Sequence, residues 1–279
     1  MGNGQELPIT NYQLPITNYQ LPITNYQLPI TNYQLPITNY QLPITNYQLP
    51  TMSTWLTLCG AILFVAYLLG SLPTGYTVVK LLKGIDIREV GSGSTGATNV
   101  LRTLGKGPGA FVLLIDCLKG VLAIFLVYWL FKFAQNQDLI PSTVNSGIWQ
   151  AWMVTLAGLA VVLGHSKSIF LGFTGGKSVA TSLGVLLAMN WQVALATAGV
   201  FAVVVAISRI VSLSSIFGAI AVSIFMLLLH QPLPYILFGV AAGLYVILRH
   251  RSNIERIIAG TEPKLGQKLQ TQTPENVNI

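Results

Sequence analysis

Seven long apolar runs, separated only by short polar turns, fill most of the chain beyond residue 52. They fall at 54–82, 109–133, 149–164, 179–189, 191–208, 213–229 and 233–248. A helix that crosses a bilayer needs about 20 such residues. The turns are marked by Asn145-Ser146-Gly147, Asn190, Ser208-Arg209 and His230-Gln231-Pro232. Composition excludes a soluble reading, because 52% of the chain is hydrophobic and only 8% is charged, against about 25% charged in soluble domains. Too little polar surface exists to cover a core. The chain reads as an all-α integral membrane protein, a seven-span helical bundle. The fourth run is too short alone, so it is expected to borrow from the loop before it or to lie partly buried. Six spans with one re-entrant segment also fit.

The first 51 residues are a different material. Leu-Pro-Ile-Thr-Asn-Tyr-Gln repeats six times without variation from Leu7 to Gln48. A proline in each repeat removes a backbone donor and disfavours helix at the residue before it, which rules out a coiled coil. An extended, disordered segment is expected. It lacks the basic start and apolar core of a signal peptide. Met52-Ser53-Thr54-Trp55 reads as a native start, and residues 1–51 are expected to be dispensable.

Charge orients the bundle. With seven spans and the N-terminus outside, all but Lys119 and Lys132 of the 15 Lys and Arg residues fall in inner loops, as the positive-inside rule requires. The basic excess therefore calls for no nucleic acid. Cys59 and Cys117 both lie in apolar runs and read as small buried hydrophobes. No metal-ligand spacing occurs, and neither a metal nor a cofactor is expected.

Three inner segments carry the chemistry. The first runs Gly91-Ser92-Gly93-Ser94-Thr95-Gly96-Ala97-Thr98-Asn99, with Arg102 after it. Its glycines allow successive N–H groups to face one concavity, and Arg102 can close it with a bidentate fork. A flexible loop with snorkelling cations is the alternative. The second segment, Gly164-His165 through Gly175-Gly176-Lys177-Ser178, nearly fits a nucleotide-binding loop. Only three residues separate Gly172 from the Gly-Lys-Ser run instead of four, so a phosphate cradle is read without nucleotide hydrolysis. The third, Arg249-His250-Arg251-Ser252-Asn253, sets His250 and Asn253 three residues apart on one helix face. Arg209 and the Ser212, Ser214, Ser215 cluster open the sixth run from the inside. Asp116 and Lys119 lie within the second run at the same spacing, and read first as a mutual ion pair that supports the bundle.

Taken together, these segments resemble the bacterial acyl-phosphate–glycerol-3-phosphate acyltransferases of the PlsY type. The likeness covers about residues 53–266. It includes Gly70-Ser71-Leu72-Pro73-Thr74-Gly75-Tyr76, the 91–102 segment, Asp116-Cys117-Leu118-Lys119-Gly120 and Gly164-His165. It continues through Gly175-Gly176-Lys177-Ser178-Val179-Ala180-Thr181, Val211-Ser212-Leu213-Ser214-Ser215, Arg249-His250-Arg251-Ser252-Asn253-Ile254 and Gly260-Thr261-Glu262. The resemblance implies a monomeric enzyme of the bacterial inner (plasma) membrane. Its active site would face the cytoplasm and move an acyl group from acyl phosphate to the sn-1 hydroxyl of glycerol 3-phosphate, giving lysophosphatidic acid. It implies catalytic roles for Ser92, Arg102, Lys177, Ser215, His250 and Asn253. Substrate or phosphate contacts are expected at Gly91, Gly93, Ser94, Gly96, Asn99, Gly175, Gly176, Ser178, Ser214 and Arg209, with structural support from Asp116, Lys119 and Glu262. Residues 52–266 would be the enzyme and 267–279 a polar tail.

Some positions depart from the family's usual pattern. Ser94 stands for Asn, Lys167-Ser168 for an aromatic-proline pair, Thr174 for Lys and Ser178 for Gly. The competing reading is a carrier for a phosphorylated solute, which cationic loops and interrupted helices would suit. Against it, no internal repeat joins two halves of the bundle. A membrane scaffold would leave the clustered glycines and cations without a purpose.

Overall fold

The computed structural model describes residues 51–267. The repeat and nearly all of the polar tail lie outside the described residues. The rest is helical: α1 (Met52–Ser71), α2 (Thr74–Lys83), α3 (Ala97–Leu104), α4 (Lys106–Asn136), α5 (Ser146–Ser166), α6 (Val179–Met189), α7 (Trp191–Ser208), α8 (Val211–Leu228), α9 (Leu233–Arg249) and α10 (Arg251–Ile258).

Five segments are long and apolar enough to cross a membrane: Met52–Lys83, Lys106–Asn136, Ser146–Ser166, Trp191–Ser208 and Val211–Leu228. Helices α9 and α10, bent by 59° at their junction, make a sixth when taken as one broken span. All seven apolar runs thus become helix. Helix α6 has 11 residues, or about 16 Å at 1.5 Å per residue, roughly half a hydrocarbon core. Among the described residues, then, length and composition support up to six spans with one short buried helix.

Large apolar side chains on the outer faces, such as Phe64, Leu114 and Trp129, are exposed. In a soluble protein such a surface would aggregate; here it is the lipid-facing side. Inside the bundle, small residues let backbones approach closely. A Cβ on Gly70 would lie 2.1 Å from the Val161 carbonyl oxygen, and one on Gly184 would lie 1.8 Å from that of Cys117. These two contacts clamp α1 to α5 and α4 to α6. At the far end Trp55 packs edge-on to Phe131, ring centroids 5.1 Å apart, and to Trp149 at 6.4 Å. Asn145 and Asn190 cap α5 and α7 by accepting from the amides of Ile148 and Val193.

Pro73 breaks the first apolar run into α1 and α2, which leaves carbonyls without helical partners. Lys119, within α4, donates to one of them, the Leu72 oxygen, at 2.6 Å and to Asp116 at 2.8 Å. Lysine and aspartate form an ion pair buried in the bundle, and the lysine also satisfies the broken helix. That gives the two charges a structural reason to lie inside a membrane.

Candidate active site

One end of the bundle gathers the three glycine-and-cation segments around a cavity of about 280 Å³. Its construction starts at Asn99, buried on the first turns of α3. The Asn99 amide donates to the carbonyls of Ile87, Val90 and Ser94 at 3.2, 3.0 and 2.9 Å, and its oxygen accepts from the Ser92 amide at 3.1 Å. All of the donors and one acceptor site of the side chain go to one loop. Gly91 and Gly93 have φ of 61° and 65°, a region that costs a side chain dearly. They let the loop wrap this amide and present Ser92 and Ser94 at the cavity wall.

The second segment is built differently from a phosphate cradle. The Gly176 amide donates to the His165 carbonyl at 3.1 Å, and Arg249 donates to the Gly176 carbonyl at 3.3 Å. Gly175 and Gly176 therefore form the turn behind the site, and the turn brings Lys177 and Ser178 to the cavity. Ser178, next along, has φ of 61°, which explains why glycine suits the position. Its hydroxyl donates to the Val162 carbonyl at 2.7 Å and shares a 2.5 Å hydrogen bond with the Ser166 hydroxyl. Those bonds offset the strain of a side chain in the left-handed region.

The third segment supplies an acceptor and an anchor. His250, buried at the α9–α10 bend, has Nδ1 2.7 Å from the Val246 carbonyl. A carbonyl only accepts, so Nδ1 carries the proton and Nε2 is the ring's other functional nitrogen. One turn on, Asn253 accepts from the Lys177 ammonium and donates to Glu262 Oε1 at 2.6 Å. Glu262 Oε1 also accepts from Ser212 at 2.8 Å, and Oε2 accepts from Arg256 at 2.7 Å. The order Lys177, Asn253, Glu262, Arg256 fixes every group's orientation. Reversing the Asn253 amide would set its NH2 against an ammonium and its oxygen against a carboxylate. Arg102 is tied in from α3 by donating to the Pro263 carbonyl at 3.3 Å, and it too lines the cavity.

Burial pushes the Lys177 ammonium down to about 8. The Glu262 charge opposes the shift, and Arg256, Arg102 and Arg249 add to it. Burial raises Glu262, but hydrogen bonds from Asn253, Ser212 and Arg256 outweigh it and hold the carboxyl below its usual range. A buried ammonium short of counter-charge gains most from an added anion.

Of the residues singled out from sequence, Ser92, Ser94, Gly96, Asn99, Arg102, Asp116, Lys177, Ser178, Ser215, His250, Asn253 and Glu262 line the cavity. Gly91, Gly93, Lys119, Gly175, Gly176, Arg209 and Ser214 do not. Arg209 ends α7 with φ of 59°, and its carbonyl accepts from the Leu265 amide at 2.7 Å. Ser214 bonds back to the Ile210 carbonyl at 2.9 Å. His165 and Ser212, unassigned from sequence, are in the wall. His165 Nδ1 lies 3.7 Å from Asp116. Below the polar end, the cavity continues as an apolar arm between α6, α7, α8 and α9, walled by residues such as Leu186, Phe201, Val222 and Phe238.

These features define a class: an all-helical integral membrane protein in which a cationic pocket opens into an apolar arm. The comparisons narrow it. The family model described as glycerol-3-phosphate acyltransferase matches residues 60–260. A glycerol-3-phosphate acyltransferase of a Nostoc species is 80% identical over 225 residues, covering 81% of this chain and 100% of that protein. One from Acaryochloris marina is 56% identical, covering 80% and 99%. Crystal structures of PlsY (YgiH), an integral membrane glycerol 3-phosphate acyltransferase, match in its glycerol 3-phosphate form, with a TM-score of 0.64 and 39% identity. Its lysophosphatidic acid form matches with 0.62 and 38%. Each alignment spans 75% of this chain and 96% of that one. The chain belongs to the glycerol-3-phosphate acyltransferase family.

Proposed function

We propose that this acyltransferase takes its acyl group from acyl phosphate and places it on the sn-1 hydroxyl of glycerol 3-phosphate, releasing lysophosphatidic acid and inorganic phosphate. The observation that carries the reading is the cavity's two-part character. Lys177 and Arg102 stand at one end and an apolar arm between four helices at the other, so a phosphate and an alkyl chain meet where Ser215 and His250 lie. The related PlsY structures hold glycerol 3-phosphate in one form and lysophosphatidic acid in the other, which supports the same pair of sites here.

Arg102 and Lys177 hold the phosphates, and Asn253 holds Lys177 in place. The glycerol hydroxyl oxygen attacks the acyl carbon, and the bond from that carbon to the phosphate oxygen breaks. Phosphate leaves with the electron pair and accepts the hydroxyl proton on an oxygen. Acyl phosphate is already activated, so the residues orient and stabilise charge without forming a covalent intermediate. His250 Nε2 accepts a hydrogen bond from the attacking hydroxyl and so orients it. The polar end faces the cytoplasm of a bacterial inner membrane, as the cationic loops favour. All of these groups come from one chain, so a monomer suffices.

The test uses purified protein with hexadecanoyl phosphate and glycerol 3-phosphate, scored for product position and for acyl-enzyme. One 1-acyl product per phosphate released, with no acyl-enzyme trapped by acid quench, is the expected result. An acyl-enzyme on Ser92 or Ser215 would overturn direct attack. Substantial turnover retained in His250→Gln is expected when phosphate takes the proton, and a near-complete loss would assign that proton to His250.

A further inference from the structure

Helix α8 gives one stripe to the cavity wall. Ser212, Ser215, Gly218 and Val222 all line it, spaced three or four residues apart and therefore on one face. At 1.5 Å per residue the stripe descends about 15 Å, with Gly218 about 4.5 Å beyond Ser215.

A glycine inside a helix costs stability and calls for a reason. For most glycines buried in the spans the reason is packing. A Cβ at Gly70, Gly120, Gly164, Gly184 or Gly243 would come within 2.5 Å of a backbone oxygen on a neighbouring helix. Gly218 is different. Its φ is ordinary, and the nearest atom to an added Cβ is the Thr197 methyl at 3.8 Å, an ordinary contact. Gly60 and Gly199 also have open space, but they face outward. Gly218 is buried and borders the cavity, so neither backbone conformation nor helix contact demands that it lack a side chain. What the missing side chain keeps open is the passage between α8 and Thr197 of α7.

We propose that Gly218 is the specificity-determining position for the acyl chain, leaving free the level of the arm just past the reacting carbonyl. The proposal rests on the acyl-transfer reading above. Long chains must pass residue 218, whereas a chain of a few carbons ends before it. An added Cβ there meets the Thr197 methyl only at the ordinary contact distance of 3.8 Å, so what it obstructs is the substrate.

The experiment measures kcat/KM in bilayers for butanoyl through hexadecanoyl phosphates, with the matching CoA esters alongside, for the full chain and for Gly218→Ala and Gly218→Val. The expected result is a graded fall in the hexadecanoyl-to-butanoyl ratio, about tenfold or more in Gly218→Val. The KM for glycerol 3-phosphate should stay within about twofold, and the thermal unfolding midpoint should hold or rise, because the helix loses a glycine without gaining a clash. An unchanged ratio in both variants overturns the proposal and leaves the transfer reading standing. A uniform loss at all lengths with a lowered midpoint also overturns it, by making Gly218 a packing residue. Failure of the unsubstituted protein to use any acyl phosphate would instead sink the donor reading, and the CoA series then decides the role of Gly218.

Discussion

Glu262 is the place where the site's geometry and its electrostatics can be separated. Its carboxylate accepts from Asn253, Ser212 and Arg256, and its charge opposes the downward shift of Lys177. In Glu262→Gln the new amide oxygen can still accept from Ser212 and Asn253, but its NH2 then faces the Arg256 donor. One charge-assisted bond is lost, worth about 1.5–3 kcal/mol. Arg256 is 37% exposed, so water replaces part of the interaction and the cost falls near the lower end. Asn253 keeps its orientation, and turnover at neutral pH falls by about tenfold or less. In Glu262→Ala, Asn253 and Ser212 lose their acceptor at about 1–3 kcal/mol each. Asn253 is then free to reverse and point a donor at Lys177, and kcat/KM falls by about 100-fold.

The pH profile supplies the second readout. In the proposed mechanism charged Lys177 binds phosphate, so kcat/KM for glycerol 3-phosphate should decline as pH rises through about 8. Removing a neighbouring negative charge disfavours the ammonium, which moves that limb to lower pH in Glu262→Gln. Lys177→Arg, charged at every working pH, should lose the limb whatever activity it retains. The assay is initial-rate kinetics between pH 6.5 and 9.5. A limb that stays in place or moves up in Glu262→Gln, or one that persists in Lys177→Arg, would refute the coupling.

Three further outcomes follow from the packing. Lys119→Met strands the Asp116 carboxylate among the spans and should cost about 3–5 kcal/mol, seen as a lowered unfolding midpoint. Much of that loss should return in the double variant Asp116→Leu/Lys119→Met. Gly184→Ala drives a Cβ to 1.8 Å from the Cys117 carbonyl oxygen, so α4 and α6 must part at about 1–3 kcal/mol, again read as a lowered midpoint. Ser178→Ala keeps a side chain at positive φ and discards the bonds to Val162 and Ser166. Ser178→Gly discards the bonds but removes the strain, so in thermal unfolding the alanine variant should be the weaker by about 1 kcal/mol.

Much of the architecture was legible from apolarity alone, since every apolar run became helix. The break at Pro73 was passed over because the apolar run resumes beyond it, although Gly70-Ser71 and Thr74-Gly75 flank the proline. Only the distant Lys119, donating to the Leu72 carbonyl, shows how that break is tolerated. The Asp116–Lys119 pair could be read from spacing because both charges share one helix face. The glycine loops were harder. A Gly-rich string signals backbone freedom without saying what uses it, and here the Gly176 amide is taken by the His165 carbonyl. The serine cluster on α8 divides for a related reason. Helical period turns Ser212 and Ser215 to the cavity and Ser214 away from it. His165 was named within the second segment but given no role, because its partner Asp116 lies in another helix. Glu262 was read as structural support, and its partners Ser212 and Arg256 appear only once α8 and α10 meet.

The most direct measurement follows radiolabelled glycerol 3-phosphate with the purified chain in lipid, given hexadecanoyl phosphate or hexadecanoyl-CoA. Labelled lysophosphatidic acid from the acyl phosphate alone is the predicted result. Product from the CoA ester alone would contradict the proposed donor, and no product from either, with the protein folded, would contradict the transfer itself.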